Sequence, residues 1–123
     1  MNIVAGIQAF EGGQGFTCGN LDENYFKRKG EMPFHTMETL DRAKRDKKGL
    51  IEVDYTGFGL LLIKKGVYEK IEYPWHRPEW FKIGKAVDFS MEDVGWGMNA
   101  RKVGYKIYVD PTVRVGHEKK FIY

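Results

Sequence analysis

Cysteine is almost missing from this chain: Cys18 stands alone among 123 residues. A single thiol excludes an intrachain disulfide and suits a reducing compartment, so a cytoplasmic location is the expectation. Long hydrophobic runs are missing as well. No stretch approaches the roughly 20 apolar residues that cross a bilayer. The opening MNIVAGIQAF lacks the basic start and long apolar core of a secretory signal. The common catalytic signatures are also absent: there is no P-loop, no Gly-x-Ser-x-Gly elbow, no CxxC and no HExxH. Asp-x-Asp occurs nowhere; the nearest approach is Glu52-Val53-Asp54.

The apolar share of 42% and the charged share of 30% provide for a packed core and exclude global disorder. The length fits one domain over residues 1–123. A net charge of +3 is too mild to argue for a nucleic-acid partner, and none is expected.

Ile3, Val4, Ala5 and Ile7 form a short apolar run bounded by Gly12 and Gly13, which predicts a buried strand. From Gly12 to Gly49 the pattern weakens, as in a binding loop or a mobile segment. Within it METLDRAKRDKK reads as a surface helix, with Met37, Leu40 and Ala43 on one face and KRDKK solvated. Ile51, Val53 and Tyr55 alternate with polar residues, as on a half-buried strand. Leu60 to Ile63 are apolar on both faces, which predicts a central strand. VYEKI predicts a short helix. Two prolines in YPWHRPEWF exclude a regular one. Ser90 reads as an N-cap with Asp93 three residues on, Met91, Val94 and Met98 trace the apolar face, and Gly104 ends the helix. Ile107 and Val109 share one strand face; Val113, Val115 and His117 share another beyond Pro111, which predicts an edge, a bend or two short strands. Alternating strands and helices predict an α/β fold around a mixed β-sheet with a few flanking helices.

Four features could carry chemistry, and each has a plainer reading. Glu92 and Asp93 could be a helix cap, or a carboxylate poised to take a proton. His117 could be a core or edge histidine, or a metal ligand or phosphate contact. Gly57 and Gly59 could mark a bulge, or a backbone that faces substrate. Trp75, His76 and Trp80 could pack a loop onto the core, or stack on a sugar or a base.

Taken in order, VDYTGFGLLLIKKGVYEKI, YPW and SMEDVGWGMNARKVGYKIYVDPTVRVGH resemble the C-terminal half of family 2-like glycosyltransferases of the GT-A fold. The similarity runs from about Leu50 to His117. It implies a partial GT-A-like domain and sugar transfer from a nucleotide-sugar to an acceptor hydroxyl. It implies Asp93 as catalytic base with Glu92 beside it, and Gly57, Gly59, Trp75 and Arg101 on the substrate. It implies His117 on a divalent metal, manganese or magnesium, that neutralises the leaving diphosphate. Asn99 stands where such enzymes often carry a basic residue, with Arg101 two positions on. The donor-binding half with its Asp-x-Asp has no counterpart here. The chain is therefore expected to be inactive alone and to self-associate or pair with a separate N-terminal half. The competing expectation is a non-catalytic module that binds a sugar or another ligand, or oligomerises.

Overall fold

A computed structural model describes residues 2–10 and 15–116. Gly12, Gly13 and His117 lie outside the described residues.

The first strand, β1 (Ile3–Gln8), buries Ile3, Ala5 and Ile7 and turns Val4, Gly6 and Gln8 the other way. That is the period-two pattern of a strand with one face in the core. The weakly patterned region is structured where described. It holds β2 (Cys18–Gly19), α1 (Glu23–Lys29) and α2 (Met37–Arg42). Helix α1 buries no residue. Local signals hold it: Asp22 accepts a hydrogen bond from the Tyr25 N–H, and Gly30 closes the helix at φ 71°. Helix α2 starts in a capping box between Thr36 and Thr39 and buries Leu40. It stops at Arg42, so KRDKK is not its continuation. That segment is a turn: the Asp46 carboxylate accepts the Lys48 and Leu50 N–H groups at 2.8 and 2.9 Å, and Gly49 takes φ 80°.

Strands β3 (Ile51–Val53) and β4 (Tyr55–Thr56) are separated by a bend at Asp54. Next come β5 (Leu61–Ile63), α3 (Val67–Lys70), the hairpin β6 (Trp80–Ile83) and β7 (Ala86–Phe89), α4 (Glu92–Lys102) and β8 (Ile107–Val115). Four strands form a mixed sheet in the order β3-β8-β1-β5, with β1 and β8 parallel and both outer pairs antiparallel. The fold is thus mixed α/β, as the alternation predicted.

One expectation about the sheet changes, and the alternatives left open at Pro111 narrow to a break in register. The Leu60–Ile63 run supplies an edge strand, not a central one. Leu62 is 67% exposed, because nothing among the described residues covers that side of β5. Pro111 lies in a central strand, at a break in its pairing. The β1 register passes from Gly6 opposite Asp110 to Ile7 opposite Arg114, so residues 111–113 bulge out. Strand β3 pairs only as far as Val109, so Pro111 deprives no neighbour of a hydrogen bond there. Gly6 is where the bulge crosses β1: a Cβ there would lie 3.0 Å from the Val113 carbonyl oxygen.

The core lies on one sheet face. Ile3, Ala5, Ile7, Ile51, Val53, Ile107 and Val109 pack against Trp96 and Ala100 of α4, Val67 beside Ile71, and Leu40 of α2. Gly104 ends α4 in the left-handed region at φ 97°, as its position predicted.

Candidate functional site

Helix α4 starts at Glu92, with Met91 as its N-cap and no side-chain cap hydrogen bond. Ser90 is not the cap. Its hydroxyl accepts the Glu79 N–H at 3.0 Å, and its own N–H donates to the Glu79 carbonyl at 2.8 Å, tying the helix entry to the start of β6. Asp93 is half-buried, and one carboxylate oxygen accepts the Val94 N–H at 2.8 Å. Glu92 is exposed. Neither acid forms an ion pair among the described residues, and both sit at the positive end of the helix dipole.

The buried side of α4 is Gly95, Trp96, Gly97, Asn99 and Ala100, not the Met91, Val94 and Met98 face. Met91 is 68% exposed. The glycines explain the difference. A Cβ at Gly95 would collide with the Arg77 carbonyl oxygen, and one at Gly97 would lie 3.2 Å from the Asp54 carbonyl oxygen. The backbone of α4 therefore approaches its neighbours closely along that side, with Trp96 at the centre.

Trp96 organises an aromatic cluster. His76 lies nearly parallel to it, with ring centres 6.2 Å apart, and Phe58 meets it edge-on at 5.9 Å. Tyr68 contacts Trp96, Trp75 and His76, and its hydroxyl is 3.0 Å from His76 Nε2. Trp75 also meets Tyr73 edge-on at 5.2 Å. The Gly57-Phe58-Gly59 bend, the Pro-Trp loop and the helix bearing Glu92 and Asp93 are thereby in mutual contact. Gly57 and Gly59 serve approach by the chain itself: a Cβ would meet Thr17 Oγ1 at Gly57 and Gln8 Oε1 at Gly59.

A polar clamp that sequence patterns did not signal fixes the loop. Arg77 donates to the carbonyls of Glu72 and Pro74 at 3.1 and 2.8 Å and pairs with Glu79. Glu79 also accepts from the Asn99 amide at 3.2 Å. Hydrogen bonds from Arg77 and Asn99 hold the Glu79 carboxyl below its ordinary range. Asn99, notable in the sequence only for not being basic, connects α4 to this clamp.

Arg101 stands apart from the acid pair. It lies eight residues beyond Asp93, about 12 Å along the helix axis. Its guanidinium pairs with Asp54 at 3.1 Å. It lines a cleft of about 320 Å³ together with Trp80, Asn99 and Lys102.

His117 is outside the described residues. Among the described residues no three His, Cys, Asp or Glu side chains cluster as a metal would require, so they do not by themselves fit a divalent ion. No helix among them is long and apolar enough to cross a membrane. Comparison with known proteins finds no matching family model, no matching curated protein and no matching solved structure.

Proposed function

We propose that this chain is the acceptor-side part of a glycosyltransferase, with Asp93 as the base that deprotonates the acceptor hydroxyl. The observation that carries the reading is the convergence on Trp96. The glycine bend through Phe58 and the Pro-Trp loop through His76 meet the helix whose first turn holds two carboxylates with no ion-pair partner among the described residues. A helix start mounted on a buried tryptophan is a rigid support for a carboxylate. Among the described residues no ion pair engages the Asp93 carboxylate, which suits the part of a general base. Glu92 lies beside it on the solvent side. Trp75, at the outer edge of the aromatic cluster, offers a face for sugar stacking.

In this reading the donor-binding Asp-x-Asp comes from outside these 123 residues, on a different polypeptide segment, because a second copy of them would lack it too. A divalent metal would draw on His117 and on groups from that segment. The described residues of this chain act by binding and orienting the acceptor and by holding the proton at Asp93.

The test supplies a donor-binding half and follows sugar transfer. Asp93→Asn should reduce transfer by about 10²–10⁴-fold with little change in donor binding. Transfer at the unaltered rate would remove Asp93 as the base. A non-catalytic sugar-binding module is the second reading, favoured by Tyr73 at 74% exposure beside Trp75. Saturable sugar binding with no transfer, even with the donor half present, would establish that alternative.

A further inference from the structure

A separate cleft of about 450 Å³ opens beside strand β3, within the range of small-molecule sites. No residue of α4 or of the Pro-Trp loop lines it. Tyr108 of β8 and Glu52 of β3, paired across the sheet, form one wall. Lys44, Arg45 and Asp46 form another, and Asn20 contributes from the loop after β2.

The charges lining this cleft are not equivalent. Both carboxylates are already engaged: Asp46 accepts two backbone N–H groups of its own turn, and Glu52 pairs with Lys106 at 3.6 Å. Lys44 and Arg45 have no ion-pair partner among the described residues. His35 also lines the cleft, and burial lowers its pKa, so it adds no charge near neutral pH. The cleft therefore presents two uncommitted cations. The backbone that carries them is fixed, because Arg45 bridges to Ile51 and the Asp46 turn closes immediately after it, while both side chains are exposed and reachable. Two adjacent cations on a fixed backbone suit a dianion, and an arginine suits phosphate oxygens in particular. The Tyr108 ring offers a stacking face, and the Asn20 side chain offers an amide.

We infer that this cleft binds a phosphate monoester carrying an aromatic ring, of the nucleoside 5′-monophosphate class, with Lys44 and Arg45 on the phosphate and Tyr108 against the ring. The site is independent of Asp93 and of the proposed transfer reaction.

Calorimetric titration of the full chain with adenosine 5′-monophosphate, adenosine and inorganic phosphate tests this. The monophosphate should bind saturably, and each of the other two at least about tenfold more weakly. Replacing both cations, Lys44→Ala with Arg45→Ala, should weaken the monophosphate about tenfold or more. Tyr108→Leu should weaken it while leaving phosphate binding unchanged. Asp93→Asn should leave the affinity for the monophosphate unchanged. Should a variant lose its fold, amide shifts of the wild-type chain on adding the monophosphate give the same answer: they should centre on Asn20, Arg45 and Tyr108. Equal affinity for adenosine, no saturable binding, full affinity in the double variant, or shifts confined to residues 73–76 would each overturn the assignment.

Discussion

Arg101 and Asp54 join the last turn of α4 to the bend between β3 and β4, with guanidinium and carboxylate 3.1 Å apart. The other carboxylate oxygen of Asp54 accepts the Leu21 N–H at 2.6 Å. One acid thus secures a helix and a loop together. The two partners are unequal, since Arg101 is more than a third exposed and Asp54 much less. Arg101→Ala should cost under about 1 kcal/mol, because water screens that end of the pair. Asp54→Ala should cost about 1–3 kcal/mol, because it also orphans the Leu21 N–H. Urea titrations of both variants and the double variant check this. A larger loss for Arg101→Ala would reverse the assignment.

Gly95 and Gly97 should respond differently to the same methyl group. At Gly95 the added carbon strikes the Arg77 carbonyl, which is backbone and already fixed by the clamp. Gly95→Ala should destabilise by about 1–3 kcal/mol. At Gly97 the crowding is milder, with the end of the Ile107 side chain at 3.1 Å and the Asp54 carbonyl oxygen at 3.2 Å. The helix preference for alanine, worth about 1 kcal/mol, should offset most of that crowding. Thermal melts of the two variants should therefore separate clearly.

His35 makes stability depend on pH. Its Nδ1 lies 3.0 Å from Thr39 Oγ1, and its Nε2 is buried without a hydrogen-bond partner among the described residues. Burial lowers its pKa below the ordinary 6.5. The unfolded chain then binds the proton more readily. The contribution is complete above about pH 6.5, declines as pH falls through that value and levels off below the folded pKa. His35→Gln should flatten that part of the pH profile. Parallel slopes in the two proteins between pH 5 and 8 would show that His35 is not the titrating group.

Cys18 should be inert while the protein is folded. It is buried, and burial pushes its thiol up to about 12, so almost no thiolate exists at neutral pH. Labelling by a thiol reagent should be slow and should accelerate in urea in step with unfolding. Rapid native labelling would contradict the packing around β2.

Where burial and chain pattern coincided, the fold was legible. Strand β1, the VYEKI helix and the Gly104 stop follow from local spacing alone. Leu60 to Ile63 misled because an apolar run does not say which neighbours exist; Leu62 simply faces outward. Helix α1 has no buried residue, so hydrophobic periodicity could not reveal it, although Asp22 and Gly30 mark its ends. The face of α4 was misread because glycines contribute to packing by what they lack. Ser90 has the chemistry of a cap, yet its hydroxyl is taken by Glu79, eleven residues earlier. The Arg77–Glu79–Asn99 clamp is likewise a product of tertiary contact, and no short motif announces it.

Strands β1 and β8 have a consequence for how the chain folds. The middle of the sheet is a parallel pair made from the first and last described strands, nearly the whole sequence apart. Closing so long a loop is entropically slow, and a sheet of this connectivity has high contact order. During synthesis β1 must wait beside an unfilled position until β8 leaves the ribosome. The apolar side of β1 is unprotected for that interval, so aggregation during expression should depend on how quickly β8 is delivered.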